Sequence, residues 1–446
     1  MKVVVIGAGA AGLAATYALR KAGVDVTTLE SRAEAGGRAY CYQKDGFIFD
    51  TGAQFMAKVC KTQIRLCQEL GLGDQILTFD LKTSHWRNGK IHPMPTLGNL
   101  RKFLMELPEL FKFRGLPLSV YPQMARLAFH LIKRYINVDI SKMNPTCLLD
   151  LGDTSVAEFT LQHGGQEALD WVMTPMVGGL TLGEPEDVSI AHIIGLMGLY
   201  EGLLLLQRGI GSLPAALYDH CKDSIRLKTP VKKVIIENGA VRGVETQEGF
   251  MPADHVICAT TASRARMLMP DLPDTIRKPL ETVRYSTTVH VMLALKHRML
   301  PGGIYILTLP RPAQSFLPAL NDCSEKSPYF APPGTGLSHC VTYGRRAHEL
   351  QKLPDEKIVD LVIEEVRRFV PLPSQDILMT EVVRWDEAIC LEAPGEFPAM
   401  YCLKRNHLRD IKGLHLAGEY MYLISCVEGA LRSGEDAAAA VLAGEQ

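Results

Sequence analysis

Apolar residues run unbroken from Val3 to Ile6, stop at a glycine, and then recur at helical spacing over residues 13–22. A short all-apolar run predicts a strand buried on both faces; the periodic stretch predicts a helix ending at Gly23. Residues 24–29, rich in β-branched residues, read as a second strand that closes on Glu30. From Pro95 to about Leu205 the spacing is amphipathic with proline breaks, which predicts mostly helices. Within that stretch Thr154 or Ser155 caps a helix, and Glu158 completes a capping box. Strands follow at 225–227, 231–236, 240–246 and 254–259, with hairpin turns at Asn238-Gly239 and Glu248-Gly249. Alternation returns from Tyr285 to about Asp386 and predicts a second sheet, with one amphipathic helix over 355–370 inside it. Residues 413–419 read as a last strand, and a helix begins near Glu428.

The first loop carries chemistry. Gly7-Ala8-Gly9-Ala10-Ala11-Gly12 is a G-x-G-x-x-G between a strand and a helix. Gly7 permits the tight turn, Gly9 lets backbone approach a pyrophosphate, and Gly12 lets the helix pack on the strand. The helix N-terminus offers free N–H groups to phosphate. Glu30 stands where a carboxylate accepts hydrogen bonds from ribose hydroxyls, and its charge disfavours a 2′-phosphate. Glycines also mark ordinary turns, but here strand, loop, helix, strand and acid occur in order within 30 residues.

The residues after Glu30 choose the nucleotide. Glu30-Ser31-Arg32-Ala33-Glu34-Ala35-Gly36-Gly37-Arg38 resembles the G-G-R extension of the amine oxidase, protoporphyrinogen oxidase and phytoene desaturase superfamily. That resemblance implies non-covalent FAD, with Gly36, Gly37 and Arg38 gripping the diphosphate. Other segments resemble the same family. Gly52-Ala53-Gln54-Phe55 is similar to the stretch beside the flavin ring, with Ala53 where glycine is usual. Val231 matches a backbone contact to adenine, and Ala259-Thr260 the turn ending a sheet strand. Trp385 opens a W-x-x-A segment. Ala417-Gly418-Glu419, then Cys426, Val427 and Glu428-Gly429-Ala430, resemble the closing FAD motif. There Gly418 and Glu419 approach ribityl and phosphate, and the last helix aims its N-terminus at flavin N1 and O2, favouring reduced flavin. The string around Pro175-Met176-Val177-Gly178-Gly179 resembles the substrate-domain insert of bacterial protoporphyrinogen oxidases. The implied fold is α/β: a Rossmann-type FAD-binding domain with a discontinuous α+β substrate domain. The FAD domain is expected over 1–85, 205–283 and 405–446, the substrate domain over 86–204 and 284–404.

Composition adjusts this picture. The net charge of −1 gives no global sign of a nucleic-acid partner. Eleven cysteines are scattered without a C-x-x-C, as in a reduced, cytoplasmic protein without a metal site. No apolar run is long enough to span a bilayer. Residues 95–135 interleave Arg101, Lys102, Lys112, Arg114, Arg126, Lys133 and Arg134 with large apolar residues. That fits a peripheral contact with the inner face of a membrane, or a mouth for a lipophilic substrate. A solvated helical face over a core reads equally well.

The catalytic group is less legible. The family's amine oxidases carry a lysine near flavin N5, and the strand pattern places His290 there, as a polar group or proton acceptor. A satisfied core histidine is the plain alternative. Cys426 stands where amine oxidases place one ring of an aromatic pair; Tyr420 and Tyr422 either compensate or simply pack. Cys390 lies near the spacing of a covalent flavin anchor in some relatives, with the surrounding residues unmatched. Three readings follow: desaturation of a bulky apolar, tetrapyrrole-like or polyene-like substrate by hydride transfer to flavin N5; oxidation of a secondary amine or polyamine; or flavin binding without turnover. Oligomeric state and final electron acceptor are not written in the sequence.

Overall fold

The computed structural model describes residues 1–94, 113–198 and 202–444. The apolar run at the N-terminus becomes the strand Lys2–Ile6 at the centre of a parallel sheet. The strand order is Ile225–Arg226, Asp25–Leu29, Lys2–Ile6, His255–Cys258, Leu414–Leu416. Three distant stretches of chain therefore build one parallel sheet. Helix Ala10–Lys21 packs on one face against the last helix, Val427–Leu442, through Ala11, Ala15, Ala437 and Ala438. An antiparallel ribbon of Val231–Glu237, Ala240–Thr246 and Gly249–Pro252 sits at its side. Asn238 and Gly239 both have positive φ, 54° and 71°, which is the turn that an Asn-Gly pair favours.

The second sheet has seven strands, in the order Ile377–Trp385, Thr288–Leu295, Gly336–Val341, Ala319–Asp322, Ile306–Thr308, Thr83–Arg87, Lys90–Pro93. Every residue of Thr288–Leu295 is buried. Alternate side chains face opposite ways along a strand. Val289, Val291 and Leu293 pack with Ile358, Val362 and Val366 of helix Asp355–Arg367. Met292 and Ala294 pack on the other side with Phe49, Tyr305 and Phe330. His290 shares that second face.

The helical stretch contains Val120–Tyr135, Val156–His163, Thr174–Thr181 and Ile190–Met197. Ser155, not Thr154, caps the second of these: its Oγ accepts from Glu158 N–H at 3.1 Å. Among the described residues, no helix is long and apolar enough to cross a membrane.

Candidate active site

The two glycine loops meet face to face. Gly9 forms an isolated parallel bridge with Gly36, and Gly36 N–H donates to the Ala8 carbonyl at 2.8 Å. A Cβ added at Gly9 would meet nothing within 4 Å, so its outward side is open. One added at Gly12 would lie 1.9 Å from the Gly7 carbonyl oxygen, so that position is closed by packing. The N-terminus of helix Ala10–Lys21 opens beside this gap, and its first N–H groups lack helical acceptors. Ala259 and Thr260 end the neighbouring strand, with Ala259 N–H bonded to the Ile6 carbonyl at 2.9 Å.

Glu30 is buried at the tip of its strand. Its carboxylate accepts from Ala8 N–H at 2.7 Å and Arg32 N–H at 2.8 Å, and Ser31 Oγ lies at 3.2 Å. Thr229 N–H donates to the Glu30 carbonyl at 2.7 Å, which brings the start of the Val231 strand alongside. Replacing Glu30 by alanine should loosen both this loop and the ribose contact. A weakening of FAD binding by about tenfold is expected for the loss of one charge-assisted hydrogen bond. Flavin fluorescence titration reads it; unchanged affinity removes the ribose role.

Arg38 and Glu419 come from opposite ends of the chain and form a two-pronged ion pair, at 2.7 and 2.8 Å. Arg38 Nη1 also donates to the Ala388 carbonyl at 3.3 Å, and its guanidinium lies 5.5 Å from the Tyr285 ring centre. Gly418 N–H donates to Ser433 Oγ of the last helix at 2.8 Å. Cys426 caps that helix, so Val427 and Ala430 lie in its first turn. The residues gathered between the two loops, Arg38 and this helix end fit an extended dinucleotide. Open backbone faces the diphosphate position, a cation stands beside it, and a carboxylate stands at the ribose end.

Beyond Arg38 the chain turns along the next wall. Ala53 N–H donates to the Arg38 carbonyl at 3.0 Å, and a Cβ on Gly52 would sit 2.2 Å from the same oxygen. Trp385 Nε1–H donates to the Thr51 carbonyl at 2.7 Å, with the Arg32 guanidinium 5.0 Å from its ring centre. His290 Nδ1 lies 3.3 Å from that same carbonyl. Phe55 stacks on Phe79. A feature the sequence did not announce lies here: Lys326, fully enclosed, pairs with the equally enclosed Asp50 at 2.9 Å and bonds Gln54 Oε1. It comes from Cys323-Ser324-Glu325-Lys326-Ser327, which reads as a polar loop. Its burial between Phe55 and Phe330 was visible only in three dimensions.

Tyr420 and Tyr422 do not rebuild an aromatic pair. Tyr422 donates to Asp436 at 2.5 Å, and both rings are buried in the core of the parallel-sheet half. Cys390 is buried and its thiol donates to Glu396 at 2.9 Å. Cys390, Glu392 and Glu396 form a compact group, and Glu392 adopts a positive φ of 49°. Burial pushes the Glu396 carboxyl up to about 7 and the Glu392 carboxyl well above its usual range. A carboxyl whose folded pKa exceeds its unfolded value stabilises most at low pH. That stabilisation is complete below about 4.5 and is lost as pH rises through about 7. The melting temperature of Glu396→Gln should therefore fall less between pH 6 and 8 than that of the native chain. Equal slopes in scanning calorimetry would refute this assignment.

Residues 95–112, which include Arg101, Lys102 and Lys112, lie outside the described residues. Of the others in that basic stretch, Arg126 donates to the Gly164 carbonyl and Arg134 pairs with Asp150.

This fold and cleft define a flavin-dependent oxidoreductase of the dinucleotide-binding type. Residues 10–442 match the family model described as flavin-containing amine oxidoreductase, and the chain belongs to that family. FAD is accordingly its cofactor. An L-amino-acid oxidase of Crotalus adamanteus is 25% identical over 98% of this chain and 86% of its own length. An Exiguobacterium sp. 255-15 protein assigned as a protoporphyrinogen oxidase has the same fold, with TM-score 0.78, 20% identity and 98% of each chain covered. A redesigned putrescine oxidase superposes with TM-score 0.76 at 18% identity over 99% of each chain.

Proposed function

We propose that this chain dehydrogenates a bulky, largely apolar substrate of the tetrapyrrole or polyene kind. FAD, when bound, takes the hydride at N5. The carrying observation is the missing ring pair: Cys426 heads the last helix, and Tyr420 and Tyr422 are packed into the core. The remaining work of the protein is to hold a C–H bond against the flavin and exclude water. A second reading, amine oxidation, is favoured by the likeness to an L-amino-acid oxidase over 98% of this chain. Anaerobic addition of protoporphyrinogen, a polyene, putrescine, cyclohexylamine or an L-amino acid to the FAD-loaded protein decides between them. Bleaching by the first or second supports the reading; bleaching by amines alone replaces it.

His290 is the proton-accepting candidate. Burial pushes its imidazole down to about 4, so it is a neutral acceptor at pH 7. His290→Ala should slow flavin reduction by about 10²-fold while flavin content stays unchanged. Unchanged reduction kinetics would remove His290 from the reaction. Acid precipitation should release the flavin, because the Cys390 thiol is buried and held protonated against its carboxyl neighbours. Leu118, Phe129 and Ile136 stand exposed on and beside helix Val120–Tyr135. They support a peripheral membrane contact for lipophilic substrate, which vesicle co-sedimentation tests.

A further inference from the structure

Two buried imidazoles stand side by side on one face of the seven-stranded sheet. The strand register pairs His339 with Met292, two residues from His290. Residues two apart share a face, so His290 and His339 are diagonal neighbours. Their rings meet edge to face, with centres 4.9 Å apart at 87°. Burial holds both neutral: His290 is pushed down to about 4 and His339 well below the usual range.

A neutral imidazole carries one proton, and the partner of one nitrogen decides where it sits. His290 Nδ1 faces the Thr51 carbonyl at 3.3 Å. A carbonyl only accepts, so Nδ1 carries the proton and Nε2 keeps a lone pair. His339 Nδ1 faces the side-chain amide of Gln54 at 3.4 Å. Lys326 Nζ settles which amide atom is which: an ammonium only donates, so the atom it meets is Oε1. The NH₂ group then faces His339 and also donates to the Gly52 carbonyl at 3.1 Å. His339 Nδ1 is therefore an acceptor, and its proton sits on Nε2. Asp50 fixes Lys326 at 2.9 Å.

The outcome is two adjacent rings in opposite tautomers. Both Nε2 atoms are buried and have no hydrogen-bond partner among the described residues. A buried polar atom left unpaired is destabilising. Two on neighbouring rings, one donor and one acceptor, match a single group that can both accept and donate. They hang on Thr51–Gln54, the stretch that presses on the Arg38 backbone and so continues the FAD-holding loop.

We propose that His290 and His339 form a preset acceptor–donor couple for one N–H or O–H group of the substrate, with Asp50, Lys326 and Gln54 as positioning residues. This rests on the dehydrogenation proposed above and narrows it. His339 Nε2–H donates to the substrate heteroatom, and His290 Nε2 takes its proton. The adjacent C–H bond breaks with its electron pair passing to FAD, the N–H or O–H bond breaks toward His290, and a C=N or C=O bond forms. The substrate loses two electrons and the flavin gains them. An amine offers such a unit directly; a reduced tetrapyrrole offers its conjugated equivalent, a meso C–H bond whose loss shifts the pyrrole double bonds so that a C=N bond forms as the ring N–H proton leaves; a hydrocarbon polyene offers neither.

The test uses FAD-loaded protein carrying ¹⁵N-histidine. Long-range proton–nitrogen correlation spectra at pH 7.5, assigned with His290→Gln and His339→Gln, should show Nδ1–H for His290 and Nε2–H for His339. Gln54→Glu keeps the shape but turns a carboxylate oxygen toward His339 Nδ1. His339 should then switch tautomer while His290 does not. Equal tautomers, or no switch, overturn the proposal without any substrate being needed. With the compound that bleaches the native flavin in the anaerobic series, Gln54→Glu should slow reduction about 10²-fold at unchanged flavin content. Bleaching by a hydrocarbon polyene would overturn the couple while leaving the broader reading standing. If no compound bleaches, the broader reading fails and the tautomers still judge the couple.

Discussion

Gly9→Val yields a folded protein without flavin. The backbone at Gly9 is extended, with φ of −74°, which any residue adopts. A Cβ there meets no protein atom within 4 Å, so a β-carbon adds no clash inside the chain. Surface changes of that kind shift stability by about 0.5 kcal/mol or less. What the branched side chain fills is the open side of the loop, where the diphosphate must approach backbone N–H groups. FAD binding should weaken by at least about 10²-fold, or roughly 2.7 kcal/mol. Absorbance and circular dichroism of the purified variant check both halves, with apoproteins compared so that bound flavin does not bias stability. A yellow variant would refute this placement of the cofactor. Gly12→Ala is the contrast: its methyl would lie 1.9 Å from the Gly7 carbonyl oxygen, so the loop itself must distort.

Lys326→Met should lower stability by about 3–5 kcal/mol, because it leaves the Asp50 carboxylate buried without its cation. Neither side chain of this pair has any exposure to solvent. The same change removes the ammonium that orients Gln54. In a chain of this size the loss should appear as a fall in melting temperature of roughly 3–5 °C. Adding Asp50→Asn to Lys326→Met should recover part of it, since the stranded charge is gone. Strict additivity of the two single effects in scanning calorimetry would show that the pair is not coupled.

The nucleotide half was legible because its signals are local. A strand, a glycine turn, a helix and an acid within 30 residues carry their own geometry, and the observed strand Lys2–Ile6 and helix Ala10–Lys21 follow them. The Asn238-Gly239 turn and the helix Asp355–Arg367 were readable for the same reason. His290 could be singled out only through family resemblance, as a polar residue in an apolar strand. His339 carries the same signal within Leu337-Ser338-His339-Cys340-Val341, without a family motif to mark it. Lys326 offered none, since a lysine between serines and a glutamate resembles solvent-facing loop.

By itself the sequence determined the turn, the helix start and the carboxylate that make a dinucleotide site, since φ/ψ preferences and periodicity act over a few residues. Only the tertiary structure decided which distant groups meet. It brought Arg38 to Glu419 across 381 positions and Asp50 to Lys326 across 276. It also turned His290 and His339 toward one another from separate strands. The physical reason is that a buried charge or imidazole takes its state from what surrounds it. Those surroundings come from parts of the chain that only packing brings together.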